Sequence, residues 1–269
     1  MLDRPDPATA AVLARYYDLD LEDDPGDLDL YLALADRADG PILELGAGSG
    51  RLAVPLARAG HQVTAVDVDP AMLDRARERA AEAAIPAGAL ELVEGDLLDL
   101  RLPDAGGYGF AYIALNSILL LATRDAQRRA LQVMAEHLAP GGIAVVDAWL
   151  PDIEDLARFD GQLLHEWVRA DPEADEPGTL VTKTGTAIHD PASGSIVLTL
   201  IFEEATQGGP TRRWIRQDRL RLLGADELAA FAEDAGLRVE QLAGGYDLAP
   251  IGPGAERVVL VAVRDAGGS

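Results

Sequence analysis

Apolar positions follow two spacings along the first part of the chain. Short runs such as 42–45 are apolar at most positions, which is typical of strands covered on both faces. Between these runs, apolar residues recur every three or four positions, as on one face of a helix, and Gly60 ends the first such segment. The pattern predicts strands over 41–45, 62–67, 90–93, 109–115 and 143–148, with helices over 50–59, 70–84 and 124–138. This alternation predicts a parallel sheet with helices on both faces.

The pattern changes after position 150. Residues 162–170, 179–188, 195–205 and 211–222 are rich in Val, Ile, Leu, Thr and Trp, with turn-forming sequences between the last three. We therefore expect an antiparallel insertion. Its alternation predicts one apolar face, built from Leu180, Ile188, Ile196, Leu198, Leu200 and Phe202, and an opposite polar face with Lys183, Thr199 and Glu203.

These patterns predict an α/β chain in four segments. Residues 1–40 form two helices, near 8–17 and 27–38, that cap the sheet. Residues 41–150 form the core, and 151–222 are the antiparallel insertion, a substrate lid or a dimer element. Residues 223–269 return to the core with a helix over 226–235 and strands over 238–242 and 257–263.

Composition narrows the possible partners. The 269 residues carry a formal charge of −23, which repels phosphate backbones and anionic membrane surfaces, so we expect neither nucleic acid nor membrane as a partner. The chain has no cysteine, which excludes thiolate metal sites, and we predict no metal site. The N-terminal sequence lacks the basic and apolar regions of a signal peptide, so a cytoplasmic location is expected.

Candidate chemistry begins in the sequence ELGAGSGRL, where Gly46, Gly48 and Gly50 lie between a predicted strand and a predicted helix. Glycines allow the backbone to approach a ligand closely, and a helix N-terminus offers free N–H groups. Arg51 stands where the dinucleotide-binding pattern G-x-G-x-x-G requires Gly or Ala, which argues against a nicotinamide cofactor. The sequence therefore predicts a loop that binds a nucleotide-like ligand other than a nicotinamide cofactor.

Two acidic residues follow the next strands. Asp67 ends the second strand, 21 residues after Gly46, at a position where a carboxylate can accept both ribose hydroxyls. Asp96 follows the third strand, and with the N–H of Leu97 it can recognise an adenine edge. Met72 is a candidate for contact with a purine ring, or a core methionine.

Together, ELGAGSG, AVDVDPAML and EGDLLDL resemble the motifs of class I S-adenosylmethionine-dependent methyltransferases. ARYYD, FAYIALNSILLL and AGGYDLAPIGP are similar to a small-molecule branch that carries an antiparallel insertion after the fifth strand. The resemblance implies a Rossmann-like sheet of seven strands, mostly parallel, and S-adenosylmethionine as cofactor. It departs from the family at 109–111, where an aspartate is frequent.

The resemblance also implies site residues. Those expected to bind the cofactor are Glu44, Gly46, Ala47, Gly48, Asp67, Val68, Met72, Gly95, Asp96, Leu97 and Asn116. Asn116 and Tyr17 are the candidate catalytic residues. Candidates for binding the substrate are Tyr16, Trp149, His165, Arg213 and Arg216, although arginines on such a strand usually pair with surface carboxylates.

The expected reaction is methyl transfer by in-line displacement to nitrogen or oxygen of a small molecule. Such a reaction requires alignment above all, and a base only for a hydroxyl or a protonated amine. A nicotinamide-dependent oxidoreductase, a non-catalytic cofactor-binding protein and an aminopropyl-transfer enzyme are alternatives. A homodimer is also possible, formed through the apolar face of the insertion.

Overall fold

The chain folds into two units, seen in a computed structural model that describes residues 5–206 and 208–265. One unit joins the N-terminal segment up to Asp23 to Pro151–Leu222, and the other contains Asp24–Leu150 and the segment from Leu223 onward. We call them the insertion unit and the core unit. The predicted cap of 1–40 is thus divided, with its first helix in the insertion unit and its second in the core unit.

The helices and strands alternate through the core unit. The helices of the chain are α1 (Pro7–Asp20), α2 (Leu28–Arg37), α3 (Ala53–Arg58), α4 (Pro70–Glu82), α5 (Arg124–His137), α6 (Ile153–Phe159) and α7 (Ala225–Asp234). The strands are β1 (Ile42–Leu45), β2 (Val63–Asp67), β3 (Leu90–Glu94), β4 (Tyr108–Ile113), β5 (Leu138–Trp149), β6 (Leu164–Ala170), β7 (Leu180–Asp190), β8 (Ser195–Ala205), β9 (Arg212–Arg221), β10 (Leu237–Ala243) and β11 (Arg257–Arg264). Among the described helices, none is long and apolar enough to cross a membrane.

The core unit contains a seven-stranded sheet in the order β10-β11-β5-β4-β1-β2-β3. The neighbours among β1 to β5 pair in parallel, whereas β11 lies antiparallel to both β5 and β10. This topology confirms the predicted open α/β fold with one antiparallel strand. It brings the carboxyl ends of β1, β2, β3, β4 and β5 to one edge, where open α/β sheets bind their ligands.

Local sequence explains the ends of the main helices. The side chains of Asp69 and Thr123 accept hydrogen bonds from the first free amides of α4 and α5, and Pro70 suits the first position of α4. Helix α5 ends at His137 and β5 begins at Leu138, so residues 140–142 do not form a separate turn before the predicted strand over 143–148. A bulge absorbs those residues, since Tyr108 pairs with Leu138 and Phe110 with Ile143.

The insertion unit contains an antiparallel sheet in the order β6-β7-β8-β9, as predicted. Helix α1 packs on this sheet through a small apolar core of Leu13, Tyr16, Leu19, Val181, Leu200 and Phe202. The apolar face of the insertion is therefore covered, at least over this core, by a helix of the same unit.

The prediction of which residues form that face was wrong for β7. Lys183 pairs with Phe202 across the strands, so its side chain shares the packed face and is only 6% exposed. Leu180 and Ile188 lie on the opposite face, where they are 48% and 58% exposed. The error concerned register: odd-numbered positions of β7 oppose even-numbered positions of β8. The assignments within β8 were correct.

Candidate active site

The loop after β1 adopts a conformation that requires glycine. Gly46, Gly48 and Gly50 have φ values of +81°, +55° and +75°. A Cβ on Gly46 would lie 3.2 Å from Cβ of Ser117, and one on Gly50 would lie 3.0 Å from Cβ of Ala76. The amides of Gly46 and Ala47 both donate to the carbonyl of Val66, at 2.8 and 2.9 Å. The loop is thus held against β2, with close contacts at Gly46 and Gly50 and a positive φ at all three glycines.

Asp67 connects this loop to the end of β2. One carboxylate oxygen accepts the amide of Gly48 at 2.7 Å, and the other accepts the amide of Asp69 at 2.9 Å. Burial raises the pKa of Asp67, although the backbone hydrogen bonds oppose this shift. Each oxygen of an ionised carboxylate can accept a second hydrogen bond. Asp67 is therefore oriented by the loop and still has acceptor capacity for a ligand.

The predicted adenine-side residues lie at the end of the neighbouring strand. The amide of Gly95 donates to the carbonyl of Asp67 at 2.9 Å. Asp96 is exposed, and one of its oxygens accepts the amide of Leu98 at 2.9 Å, which leaves the half-buried Leu97 in the first position of a short 3₁₀ helix. Met72 is 9% exposed and Val68 is 44% exposed. The ends of β1, β2 and β3 thus bring the motif residues together.

Glu44 lies inside β1 with a buried carboxyl group. It is 3% exposed and faces Tyr112 on β4 in the strand register. Within the described residues, its Oε2 and the hydroxyl of Tyr112 have no hydrogen-bond partner. Burial raises the pKa of Glu44 to about 8, against the opposing influence of Tyr112 and Arg51. A buried carboxyl oxygen of this kind is suited to a polar ligand group or a shared proton.

Asn116 and Trp149 come together at the ends of β4 and β5. The backbone of Asn116 is left-handed, with a φ of +69°, and its side-chain carbonyl accepts the amide of Trp149 at 2.6 Å. The side-chain carbonyl of this candidate catalytic residue therefore already accepts a hydrogen bond from β5. Trp149 itself is half-buried.

Sequence analysis missed Asp147, which is fully buried near the end of β5. Its Oδ1 accepts the Tyr31 hydroxyl at 2.6 Å and the Leu115 amide at 3.0 Å. Its Oδ2 accepts Arg257 at 2.6 Å and the Tyr246 hydroxyl at 3.1 Å. Burial raises the pKa of Asp147, with Arg257 acting in the opposite direction. The available signal was an acidic residue inside the apolar run IAVVDAW.

A second buried pair was also missed. Asp27, directly before α2, is fully buried and meets Arg51 in a two-pronged ion pair with both N···O distances at 2.6 Å. Arg51 occupies the position of the absent third glycine of the dinucleotide pattern. Its side chain therefore fixes the glycine loop to the segment before α2.

The substrate candidates from the first helix lie in the insertion unit. Tyr16 is fully buried, its hydroxyl donates to Glu204 at 2.7 Å, and its ring contacts Phe202 and Trp214. Burial and Glu204 raise the pKa of Tyr16. Tyr16 is thus part of the packing of its own unit, whereas Tyr17 is half-buried.

The other candidates of the insertion lie on its sheet. His165 is exposed on the edge strand β6. The side chain of Arg213 is 61% exposed and pairs with Glu203 at 2.6 Å, and Arg216 pairs with Asp218 at 2.7 Å. Both arginines therefore have carboxylate partners on the sheet, as is usual for such strands.

The fold and the site together define a class of protein. A parallel sheet whose first loop is glycine-rich, followed by an acidic residue at the end of β2 and another after β3, is the arrangement of a nucleoside-binding α/β enzyme. The Methyltransferase domain family model matches residues 42–142, which include all three motifs. Residues 42–142 therefore match a methyltransferase domain, and the comparisons support a class I S-adenosylmethionine-dependent methyltransferase. The alternative of a nicotinamide-dependent oxidoreductase is not supported by these comparisons.

Individual proteins are similar over most of the chain. The cypemycin N-terminal methyltransferase of a Streptomyces species is 26% identical over 229 residues, which are 83% of this chain and 82% of that protein. A dTDP-3-amino-3,4,6-trideoxy-alpha-D-glucopyranose N,N-dimethyltransferase from Streptomyces venezuelae is 26% identical over 206 residues, 76% of this chain and 78% of its own. A solved S-adenosylmethionine-dependent methyltransferase from Clostridium acetobutylicum shares the fold with a TM-score of 0.77 and 15% identity, over 95% of this chain and 98% of that one.

Proposed function

We propose that this enzyme transfers the methyl group of S-adenosylmethionine to an amine nitrogen of a small molecule. The main observation in support is that the glycine loop, Asp67 and Gly95–Leu97 lie at the same edge of the sheet. Support for nitrogen over oxygen comes from two relatives, one named as an N,N-dimethyltransferase of an amino sugar and one named as an N-terminal methyltransferase. Both acceptors are amines, which is the chemistry we assign here.

The residues present fit the cofactor. The loop at Gly46 leaves space that a Cβ at this position would fill, and this space suits a methionine moiety. The buried Oε2 of Glu44, which has no hydrogen-bond partner among the described residues, suits the amino group of that moiety. Asp67 would hold the ribose, and Asp96 with the Leu97 amide would hold adenine. The complete proposed set is Glu44, Gly46, Ala47, Gly48, Asp67, Val68, Met72, Gly95, Asp96, Leu97 and Asn116.

When bound, S-adenosylmethionine supplies an electrophilic methyl group on a sulfonium with a neutral leaving group. The chain then has to align the acceptor, and alignment alone contributes up to roughly 7 to 11 kcal/mol in well-oriented systems. Asn116 and Tyr17 remain the proposed catalytic residues. An acceptor amine that binds protonated must also lose its proton before it attacks the methyl group, and we assign that proton to water.

The insertion unit is the proposed source of acceptor specificity. His165, Arg213 and Arg216 are its candidate contacts, and a homodimer is a possible setting for them. Trp149, in the core unit, is a separate candidate. With a net charge of −23, the chain would favour a cationic amine over a polyanion, so we expect neither nucleic acid nor membrane surfaces as partners. A cytoplasmic location fits a reaction that uses S-adenosylmethionine.

The test has two steps. Purified protein is first assayed for a thermal shift with S-adenosylhomocysteine, which we expect to stabilise it. It is then incubated with S-adenosylmethionine and matched acceptors: an amino sugar and its hydroxyl analogue, and a short peptide with a free or an acetylated N-terminus. Mass spectrometry should find a gain of one methyl group in the amines alone. Methylation of the hydroxyl analogue alone would replace the proposal with O-methylation.

A further inference from the structure

A buried carboxylate that the proposed chemistry does not use holds the end of β4 in place. Asp147 accepts four hydrogen bonds, from Tyr31 of α2, the amide of Leu115, Tyr246 after β10 and Arg257 at the start of β11. It is completely inaccessible, so it cannot contact a substrate directly. Its partners come from four separate segments of the core unit.

The segment that Asp147 holds has an unusual backbone. Leu115 and Asn116 are consecutive non-glycine residues with positive φ, +47° and +69°. Such conformations are costly for side-chain-bearing residues and persist only where neighbouring groups enforce them. Three contacts with β5 enforce this turn: Leu115 amide to Asp147 Oδ1, Asn116 amide to the Asp147 carbonyl at 3.4 Å, and Trp149 amide to Asn116 Oδ1.

The turn forms a wall beside the glycine loop. Ser117, the next residue, is so close to Gly46 that a Cβ there would lie 3.2 Å from the Cβ of Ser117. A shift of the turn would therefore change the space next to the proposed methionine moiety. Since in-line methyl transfer is sensitive to small misplacements of the reacting groups, the position of this turn affects the rate of transfer.

We propose that Asp147 is a positioning residue for methyl transfer, which holds the Leu115–Asn116 turn, and with it Ser117, against the glycine loop. This inference rests on the proposed function for its kinetic part. Tyr31, Tyr246 and Arg257 act through Asp147, because each orients its carboxylate from a different segment. The role concerns alignment and not cofactor affinity.

Replacing Asp147 itself risks unfolding, so the test uses two matched tyrosines. Tyr31→Phe removes one buried hydroxyl that donates to Asp147. Tyr108→Phe removes another buried hydroxyl, which donates to Thr64 at 3.2 Å and lies at the opposite end of the sheet. Both variants keep the aromatic ring and its packing. Tyr246→Phe is a third variant, which removes a hydrogen bond to the other oxygen of Asp147.

We expect Tyr31→Phe and Tyr246→Phe to lower kcat about three- to thirtyfold at saturating cofactor, the usual range for residues coupled to a site through neighbours. Affinity for S-adenosylhomocysteine, measured by calorimetry, should change less than about twofold. Tyr108→Phe should keep the wild-type kcat. Equal kcat in all four proteins would overturn the proposal, as would a loss of kcat in Tyr108→Phe of the same size as in Tyr31→Phe.

Hydrogen exchange tests the positioning role of Asp147 without a methyl acceptor, so its result does not depend on the proposed function. Amides in peptides covering 113–118 are measured in the S-adenosylhomocysteine complex, without any acceptor. We expect faster exchange there in Tyr31→Phe and Tyr246→Phe, and wild-type exchange in Tyr108→Phe. Unchanged exchange in the first two variants overturns the positioning role even if no acceptor is found. Failure of every amine to be methylated, with the exchange result as expected, overturns the assigned acceptor instead.

Discussion

The two units bury charged groups for different purposes. In the core unit, Asp27 and Asp147 are completely buried. Asp27 is paired with Arg51 of the glycine loop, and Asp147 with Arg257 and the amide of Leu115 after β4. In the insertion unit, Lys183 bridges Asp20 of α1 and Glu166 of β6, whose side chains are 32% and 26% exposed. The first arrangement fixes loops around a proposed site, and the second fastens a helix to a sheet.

This difference shows what the ion pairs contribute. A fully buried carboxylate is costly without its partner, so the effect of removing that partner is expected to be severe. A partly exposed carboxylate can be solvated when its partner is removed. Where the charges lie, and not how many there are, therefore distinguishes the ion pairs that position loops in the core unit from those that hold α1 on the sheet of the insertion unit.

The largest expected effect comes from breaking one ion pair in each unit by replacing its basic residue with methionine. Arg51→Met leaves Asp27 buried and unpaired, and we expect it to lower the free energy of unfolding by about 3 to 5 kcal/mol. Lys183→Met leaves two partly exposed carboxylates, and we expect a loss of about 1 to 2 kcal/mol. Urea unfolding of both variants measures the difference. Equal losses would contradict the distinction drawn between the units.

The second prediction concerns binding in the core unit. Asp67→Ala removes the proposed ribose acceptor, and we expect affinity for S-adenosylhomocysteine to fall by about 1.5 to 3 kcal/mol, the scale of hydrogen bonds to a charged group. The protein should remain folded. Asp74→Ala, which removes an exposed carboxylate from α4, is the control for loss of charge. Calorimetry that shows unchanged affinity in a folded Asp67→Ala protein would remove Asp67 from the site.

The third prediction is a pH dependence that originates from Glu44. Its folded-state pKa of about 8 lies above the ordinary value of 4.5, so the folded protein keeps a proton that the unfolded chain has released. Stability of the cofactor-free protein should therefore fall as pH rises between these values, by at most about 1.4 kcal/mol per pH unit. Glu44→Gln cannot titrate and should flatten this part of the profile.

Urea midpoints at about pH 5.5, 7.0 and 8.5 for wild type and Glu44→Gln provide the measurement. The comparison of the two profiles isolates Glu44 from the other titrating groups of the core unit. Parallel profiles would show that Glu44 is ionised in the folded protein. Its carboxyl would then require a partner that its present surroundings do not provide.

Sequence patterns predicted the sheet of the core unit because its information is local. Runs such as 42–45 are apolar on both faces, and glycines and caps mark where each helix begins and ends. The motif residues Gly46, Asp67 and Asp96 could be located from the chain alone, since each lies at or just after the end of a strand. Parallel strands then bring those positions to one edge.

What the sequence did not reveal depends on contacts between distant segments. The four partners of Asp147 come from positions 31, 115, 246 and 257, and no spacing rule links them. The face of β7 was assigned wrongly for a related reason. Alternation identifies two faces of a strand, but only the register with β8 decides which face of β7 joins which face of its neighbour.

The smallest expected effects separate two interpretations of the arginines on β9. Arg216 shares the face of the sheet that carries Leu200, whereas Arg213 lies opposite and is largely exposed.

If both are only paired surface residues, Arg213→Ala and Arg216→Ala should each cost at most about 1 kcal/mol of stability and leave turnover unchanged. If Arg216 binds an anionic group of the acceptor, its variant alone should raise the KM for the acceptor. Affinity for S-adenosylhomocysteine should stay within about tenfold, or ~1.4 kcal/mol, in both. Steady-state kinetics with the first acceptor identified provide the measurement. A wild-type KM in Arg216→Ala would leave Asn116 and Trp149 as the residues at which to seek specificity.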